Sequence, residues 1–409
     1  MDSKKEQGLL AKPAAKPINS PLESLYGIGP LRLRDSSLKT VQAYINRVNL
    51  KHNVEILKKK CAAPVKFCAV VKADAYGHNA RLLVPVLAGG YADYFAVSNI
   101  EEAERIYPFA KGKPILVFAP LYEGIAPDLL QLAQARGFHC TICSPAGLRY
   151  VNDYMETTGR SLPVQMKVDT GMGRVGCLAE EFEDLYHAIR EKKWFQITGV
   201  YSHFANADDQ DLSKARQQAA VFSELVTRLG LSQWPILKHI SSTAATMQLP
   251  EAHYDMIRCG IGMYGYTTGA YGHSCGLKPV MKVEAPLIQI KKLAAGQSCG
   301  YGGTYIAPND MLIGLIPFGY ADGLFRSLSN RISLKIGGYE APVVGRISMD
   351  LTMIDLSNVP HPTEGMMVTV IDDQPGSCCD IYHMAEQIGT IPYEILISIG
   401  SRVKRVIVN

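Results

Sequence analysis

The feature that most constrains this chain is an alternation of two hydrophobic periods that starts near residue 49 and ends near residue 280. Short β-rich runs recur at Phe67–Val71, Tyr94–Val97, Ile115–Phe118, His139–Cys143, Val164–Val168, Ile197–Ser202, Ile236–Ile240 and Met256–Met263. Between them apolar residues fall at helical spacing, as in Ile100–Phe109, Pro127–Ala135, Pro145–Glu156, Glu180–Lys192 and Leu212–Leu229. Within Pro127–Ala135, for example, Leu129, Leu130, Leu132 and Ala133 keep one face. Strands separated by helices imply parallel βαβ units, because a parallel neighbour is reached only by a crossover. Eight such strands suit an α/β fold of the (β/α)8 TIM-barrel type, which usually takes roughly 250 residues. A doubly wound open sheet is the alternative. The first strand-to-helix turn, Ala73-Asp74-Ala75-Tyr76-Gly77-His78, lacks the G-x-G-x-x-G fingerprint expected there, which favours the barrel.

Past residue 280 the texture changes. Runs of Val, Ile and Leu alternate with Gly and Pro at Lys282–Leu293, Met311–Pro317, Ile332–Ile336, Ala341–Val344 and Met367–Ile371, with one late helical pattern at Ile381–Ile388. This predicts a mainly antiparallel β domain after the barrel. The expected organisation is therefore an extended arm over 1–38, a barrel over 49–280, and a β domain from 39–48 and 281–409. The arm is inferred from Pro13, Pro17, Pro21 and Pro30 in a stretch without clear period.

Composition excludes several function classes. Lys and Arg number 42 against 38 Asp and Glu, a net charge of +4, too small and too dispersed for a nucleic-acid partner. The cluster Lys58-Lys59-Lys60 reads as one exposed helix end. No run approaches the roughly 18 apolar residues of a membrane span, and the first residues lack a signal-peptide core. Ten cysteines in 409 residues form no dense disulfide framework. Cys140-Thr-Ile-Cys143 has no second pair, so no metal site is expected, and the thiol usage suits a reducing cytoplasm.

In a TIM barrel the chemistry sits at the C-terminal strand ends. There the first strand ends in Val71-Lys72-Ala73, the sixth in Ser202-His203-Phe204 and the seventh in Ser241-Ser242-Thr243. The loop after the fifth holds Asp169-Thr170-Gly171-Met172-Gly173-Arg174, and the eighth carries Arg258 before Gly260-Ile261-Gly262. A lysine leaving a dry strand end has its ammonium desolvated, which favours covalent chemistry at a carbonyl. Ser242, Thr243 and the following glycines suit a phosphate, as loops after strands 7 and 8 often do. A lysine reaching solvent and simple rim turns remain open readings of the same residues.

Val71-Lys72-Ala73-Asp74-Ala75-Tyr76-Gly77-His78 resembles the pyridoxal-phosphate attachment motif V-K-A-N-A-Y-G-H-G of the alanine racemase family, departing at Asp74 and Asn79. Further similarity lies in Lys167-Val168-Asp169-Thr170-Gly171-Met172-Gly173-Arg174 and in Arg258-Cys259-Gly260-Ile261-Gly262-Met263-Tyr264-Gly265. Gly300-Tyr301-Gly302, Gly319-Tyr320-Ala321-Asp322-Gly323 and Gly345-Arg346-Ile347-Ser348-Met349-Asp350 continue it, so that it runs in order from about residue 40 to the C-terminus.

The resemblance implies residue roles. Lys72 would hold pyridoxal 5'-phosphate covalently and act as one of two catalytic bases, with Tyr301 the other. Tyr76, Ser242, Thr243, Gly260 and Ile261 would seat the phosphate. Arg258 would face the pyridine nitrogen, with His203 hydrogen-bonded behind it and His239 packed against the ring. Arg174 would orient the phenolate and the substrate carboxylate, assisted by the Met349 backbone. Lys167 matches a lysine that is often carbamylated in the family and braces that arginine. Tyr320 and Asp350 match residues around the entrance. Ser401 stands where many members have a tyrosine that narrows the entrance and helps hold the phosphate, and Phe118 where a smaller leucine is common. Because the family's tyrosine reaches the other subunit's site, a homodimer with shared active sites is implied.

The implied activity is racemisation of L- and D-alanine, with a broader racemase that accepts serine or larger amino acids as the alternative. Moving a proton from one face of a carbon to the other needs two acid–base groups on opposite sides. An amine and a phenol both titrate far above neutrality, so each needs positive charge nearby, which Arg174 and Arg258 can supply. A cation at the pyridine nitrogen also weakens the electron sink and limits side reactions. A fold-related basic amino-acid decarboxylase would carry an acid at the position of Arg258. A non-catalytic carrier of the cofactor would lack the second domain and Tyr301.

Overall fold

The computed structural model describes residues 40–62, 64–269 and 275–409; the arm expected over 1–38 lies outside them. Among the described residues, eight parallel strands form the expected barrel: Lys66–Val70, Tyr94–Val97, Ile115–Pro120, His139–Ile142, Leu162–Asp169, Phe195–Tyr201, Leu237–His239 and Met256–Cys259. The eighth pairs back on the first, from Met256 opposite Lys66 to Cys259 opposite Ala69. Between the seventh and eighth no ladder forms. Two backbone bonds span the gap instead, from the Asp255 N–H to the Lys238 carbonyl at 3.0 Å and from the Arg258 N–H to the Ser241 carbonyl at 2.9 Å. The ring of strands is thus nearly closed, and it opens slightly at the edge where Arg258 enters.

The strands hold because they are apolar on both faces, as in Phe67, Cys68, Ala69, Phe95 and Ala96, all fully buried between helices and barrel interior. Side-chain caps start the helices around them: Asn46 for Arg47–Lys59, Asn99 for Ile100–Ile106 and Ser144 for Pro145–Thr158 each accept from a backbone N–H. Gly159 ends the last of these and Gly137 ends Pro127–Arg136, with φ of 65° and 66°.

The second layer is a six-stranded sheet in the order Tyr339–Pro342, Ser333–Ile336, Met367–Ile371, Met281–Pro286, Gln42–Asn46, Lys404–Val408. All its neighbours are antiparallel except the last pair, in which Gln42–Asn46 and Lys404–Val408 run parallel. The two ends of the described chain therefore lie side by side, and helix Arg47–Lys59 leads straight from this sheet into the barrel. A three-stranded sheet of Gln289–Leu293, Met311–Ile316 and Thr352–Asp355 completes the region.

Two expectations shift. The run Lys282–Leu293 is two strands, Met281–Pro286 and Gln289–Leu293. Leu287 donates to the Met366 carbonyl and Ile288 to that of Leu315, so the chain changes sheets at this dipeptide. The eighth barrel strand stops at Cys259 instead of Met263, and Ile261–Tyr264 forms a 3-10 turn. Pro392–Ser398 is a further late helix, with proline at its first turn as its sequence signal.

Candidate active site

The first barrel strand delivers Lys72 into an unusual piece of backbone. Ala73, Asp74, Ala75, Tyr76 and Gly77 all have positive φ, between 50° and 79°, a short left-handed turn. Left-handed backbone costs L-residues roughly 1–2 kcal/mol each, so four non-glycine residues in a row persist only if their surroundings hold them. The turn sends Lys72 and Tyr76 to the same cavity, which measures about 360 Å³ at the C-terminal rim. Lys167, Arg174, His203, Ser242, Thr243, Arg258, Gly260 and Ile261 line it as well, together with Phe118 and Tyr201.

One wall is cationic. The buried Arg258 donates from Nη1 to His239 Nδ1 at 2.7 Å, and from Nη2 to the carbonyls of Ser202 (2.7 Å) and Ile240 (3.0 Å) and to His203 Nδ1 at 3.2 Å. Since Arg258 can only donate, both imidazoles accept at Nδ1 and carry their proton on Nε2. The Nε2–H of His239 then donates to Gln165 Oε1 at 2.8 Å. Burial first, and the Arg258 charge second, hold both histidines well below the usual imidazole range, so neither adds a charge. The ring of Tyr201 stacks on His239 with centroids 5.0 Å apart and lies under the Arg258 guanidinium.

His203 accepts from Arg258 as the sequence implied, but so does His239, and the cavity-facing place expected of His239 is taken by His203. His203 is on the cavity wall, while His239 is fully buried behind Arg258, packed on Tyr201 and away from the cavity. The reason is strand stagger. His239 is the last residue of the seventh strand, whereas His203 lies two residues beyond the end of the sixth, farther up the rim.

The opposite wall carries neutral donors. Tyr76 is buried, its phenol held protonated by burial and its ring tilted against that of Tyr264 with centroids 5.0 Å apart. A Cβ on Gly260 would stand 2.4 Å from the Tyr76 hydroxyl, so only glycine lets the phenol approach this backbone. Thr243 Oγ1 accepts from the Gly260 and Gly262 N–H groups at 3.3 Å each. The first N–H groups of the Ile261–Tyr264 turn have no partner within that turn. Hydroxyls of Tyr76, Ser242 and Thr243 with backbone N–H groups at one end, a guanidinium at the other and an amine on the rim form a donor set that fits pyridoxal phosphate.

The Lys72 ammonium has its pKa lowered, by desolvation first and Arg174 second, against a smaller opposing pull from Glu102. Lys167 is lowered to about 8 by burial, Arg258 and Arg174, and its ammonium sits 5.5 Å over the Tyr201 ring. Burial lowers Arg258 to about 10, which leaves it cationic at neutral pH.

The crowding at Lys167 has a stability consequence. Its folded pKa lies below that of a free lysine, so the unfolded chain binds more protons between about pH 8 and 10.5, and stability rises with pH across that window. Lys167→Met is therefore expected to stabilise the protein at pH 7 by roughly 1–3 kcal/mol. The gain should shrink as pH rises from 8 to 10.5. Urea unfolding of both proteins in carbon-dioxide-depleted buffer at pH 7 and pH 10 measures it; a destabilised variant at pH 7 would refute the argument.

The remaining sequence-derived site residues stand elsewhere. Tyr301, Tyr320, Met349, Asp350 and Ser401 do not line this cavity. They lie on an exposed face of the β domain, where Tyr301 is 70% accessible, Met349 53% and Tyr320 43%. The Tyr320 N–H bonds the Ser348 carbonyl and the Ala321 N–H that of Met349, both at 3.0 Å, which joins two of the motifs. Arg402 bridges Asp350 at 2.9 Å and Asp322 at 3.1 Å. Within one chain, Lys72 and Tyr301 are not brought together.

Sequence reasoning missed several contributors. Gln165 shares a strand face with Lys167, two residues away, and that alternation was a readable signal; Tyr201 is the last residue of the sixth strand, two before His203. Asp208, bonded at 2.6 Å by the Thr268 hydroxyl, and Tyr393 also line the cavity and come from loops or a helix with no such pattern.

Comparison with known proteins gives one family throughout. The family model "Alanine racemase, N-terminal domain" matches residues 45–268, and "Alanine racemase, C-terminal domain" matches residues 280–407. The chain is 34% identical to the alanine racemase of Sorangium cellulosum, covering 90% of this chain and 99% of that one. It is 31% identical to that of a Synechocystis species, covering 89% and 98%. Among solved structures, alanine racemase from the D-cycloserine producer Streptomyces lavendulae aligns with a TM-score of 0.84 at 29% identity, over 91% of this chain and 98% of its own. That of Streptomyces coelicolor aligns with a TM-score of 0.83 at 32% identity, over 90% and 98%.

Proposed function

The chain belongs to the alanine racemase family, and from that membership we propose that it interconverts L- and D-alanine with pyridoxal 5'-phosphate as cofactor. The observation that carries this reading is one cavity holding the Lys72 amine, the buried Arg258 guanidinium and a hydroxyl-lined seat at Tyr76, Ser242 and Thr243. Bound there, pyridoxal phosphate supplies an electron sink that makes a substrate Cα–H acidic.

The chain's own residues do the rest. Tyr76, Ser242, Thr243 and the backbone at Gly260 and Ile261 would hold the phosphate. Arg258 would present a donor to the ring nitrogen, and because it stays cationic at neutral pH it would keep the sink weak. His203, on the cavity wall, would flank the ring. His239 fixes Arg258 from behind through the bond from Nη1. Lys72 both holds the cofactor and moves a proton at its Nζ on one face of the substrate carbon; its lowered pKa favours the free amine. Arg174 orients the substrate carboxylate, and Lys167 braces it. With Arg258 and Arg174 nearby, Lys167 is poised to lose its ammonium proton and take up carbon dioxide as a carbamate with release of a second proton, replacing a crowded cation by an anion.

On the opposite face the proton passes through the phenol of Tyr301 of the partner subunit. The exposed β-domain face of Tyr301, Tyr320 and Met349 supports a homodimer in which each cavity is completed by the other chain. Met349, Tyr320, Asp350 and Ser401 would then border the entrance. The buried Cys68, Cys140, Cys177, Cys259, Cys299 and Cys379 are free thiols, which supports a reducing compartment such as the cytoplasm, and the product would serve D-alanine biosynthesis. Among the described residues no helix is long and apolar enough to cross a membrane.

Ser401, in place of a tyrosine, favours acceptance of serine or larger amino acids beside alanine. The deciding experiment is an absorbance spectrum of the purified protein, together with D/L assays on alanine, serine and larger amino acids. A visible-edge cofactor band and racemised alanine are expected, with weaker turnover of serine. Absence of both band and racemisation after incubation with pyridoxal phosphate would end the proposal, and turnover of alanine alone would end the wider substrate range.

A further inference from the structure

We propose that Arg405 is a positioning residue for the cofactor seat, pinning the left-handed turn that carries Lys72 and Tyr76 to the C-terminal segment 399–403. The inference rests on the reading of the cavity given above. Four left-handed non-glycine residues in a row are costly, and beyond the turn's own backbone bonds two charged side chains brace it from opposite ends. At its start, Glu102 accepts from the Ala73 N–H and the Ser98 N–H, each at 2.8 Å. At its end, Arg405 Nε donates to the Gly77 carbonyl at 3.0 Å.

The same guanidinium donates from Nη1 to the carbonyls of Val403 (2.8 Å) and Gly400, and from Nη2 to that of Ile399. All four bonds go to backbone, and no carboxylate among the described residues forms an ion pair with it. Only a planar fork with several fixed donors serves such a set, and a lysine ammonium cannot reproduce it. Arg405 itself is fixed, because its strand Lys404–Val408 is paired along its length with Gln42–Asn46.

The bracket is tight on both sides. A Cβ on Gly77 would stand 2.4 Å from the Leu396 carbonyl, so the turn and helix Pro392–Ser398 touch backbone to backbone. Tyr393 of that helix packs 5.7 Å from the Tyr76 ring. Slack at Arg405 therefore reaches the Tyr76 phenol directly, and Lys72 through the turn.

The test uses the full chain. In Arg405→Lys, affinity of the apoprotein for pyridoxal phosphate should fall about tenfold, the equivalent of one lost charge-assisted bond. Hydrogen exchange at the Ala75, Gly77 and Asn79 amides should quicken while the barrel strands stay protected. Lys335→Met, which breaks a half-buried pair with Asp372 far from the turn, should lower stability and leave cofactor affinity unchanged. Wild-type affinity and wild-type exchange in Arg405→Lys would overturn the proposal. Should the unmutated chain take up no cofactor, the cavity reading fails, yet the exchange comparison still judges the bracket. If Arg405→Lys does not fold, native-state exchange on the unmutated apoprotein decides: amides of residues 75–79 and 400–405 should open as one unit, and independent opening overturns the inference.

Discussion

Lys72→Ala is expected to lower kcat/KM for alanine by at least about 10⁴-fold, because one side chain carries two functions. In the proposed mechanism it holds the cofactor covalently and is the base on its face of the substrate carbon. Losing the second alone costs about 10²–10⁴-fold, and losing the first removes the cofactor from its reactive position as well. Folding should survive. Lys72 opens onto the cavity instead of filling the core, and its ammonium is already disfavoured by desolvation and by Arg174. The thermal midpoint should therefore match or slightly exceed that of the unmutated chain. Two measurements check this: a D/L assay at saturating pyridoxal phosphate and a melting curve of the apoprotein. Retention of more than about a hundredth of the activity in a folded Lys72→Ala chain would mean that another group holds the cofactor.

The contrast between what sequence reveals and what it hides follows from locality. The barrel was legible because each βα unit repeats the same switch between two apolar periods, and eight repeats average out local ambiguity. Lys72, Arg174, Arg258 and the Gly260–Gly262 stretch were legible because each sits in a contiguous motif at a strand end. Relations across the barrel were not. Whether His203 or His239 stands behind Arg258 depends on how far each strand is staggered along the barrel axis, which neither residue's neighbours encode. The left-handed turn at Ala73–Gly77 is similarly hidden: alanine and tyrosine have no propensity for it, and Glu102, Leu396 and Arg405 hold it from three distant parts of the chain. The sheet change at Leu287–Ile288 was invisible for the converse reason, since both sides of it are ordinary strand.

The β domain raises the remaining question, why its best-marked motifs face outward. Gly300 and Gly302, with φ of 72° and 71°, hold Tyr301 on a projecting turn that leaves 70% of it accessible. A phenol that completes no pocket of its own chain makes chemical sense if it enters the pocket of another. Tyr301→Phe is accordingly expected to lower kcat/KM by about 10²–10⁴-fold while leaving cofactor uptake intact, since no cofactor-seat residue is touched. Mixing that variant with Lys72→Ala separates shared from self-contained sites. In a two-fold dimer with shared sites, the mixed species has one doubly damaged cavity and one in which both Lys72 and Tyr301 are intact. Random exchange makes about half of all dimers mixed, so about a quarter of the cavities, and of the activity, should return. If each chain used its own Tyr301, every cavity would keep one lesion and nothing would return. A mixture shown by mass to contain mixed dimers, yet no more active than its parents, would place the second base somewhere other than Tyr301 of the partner subunit.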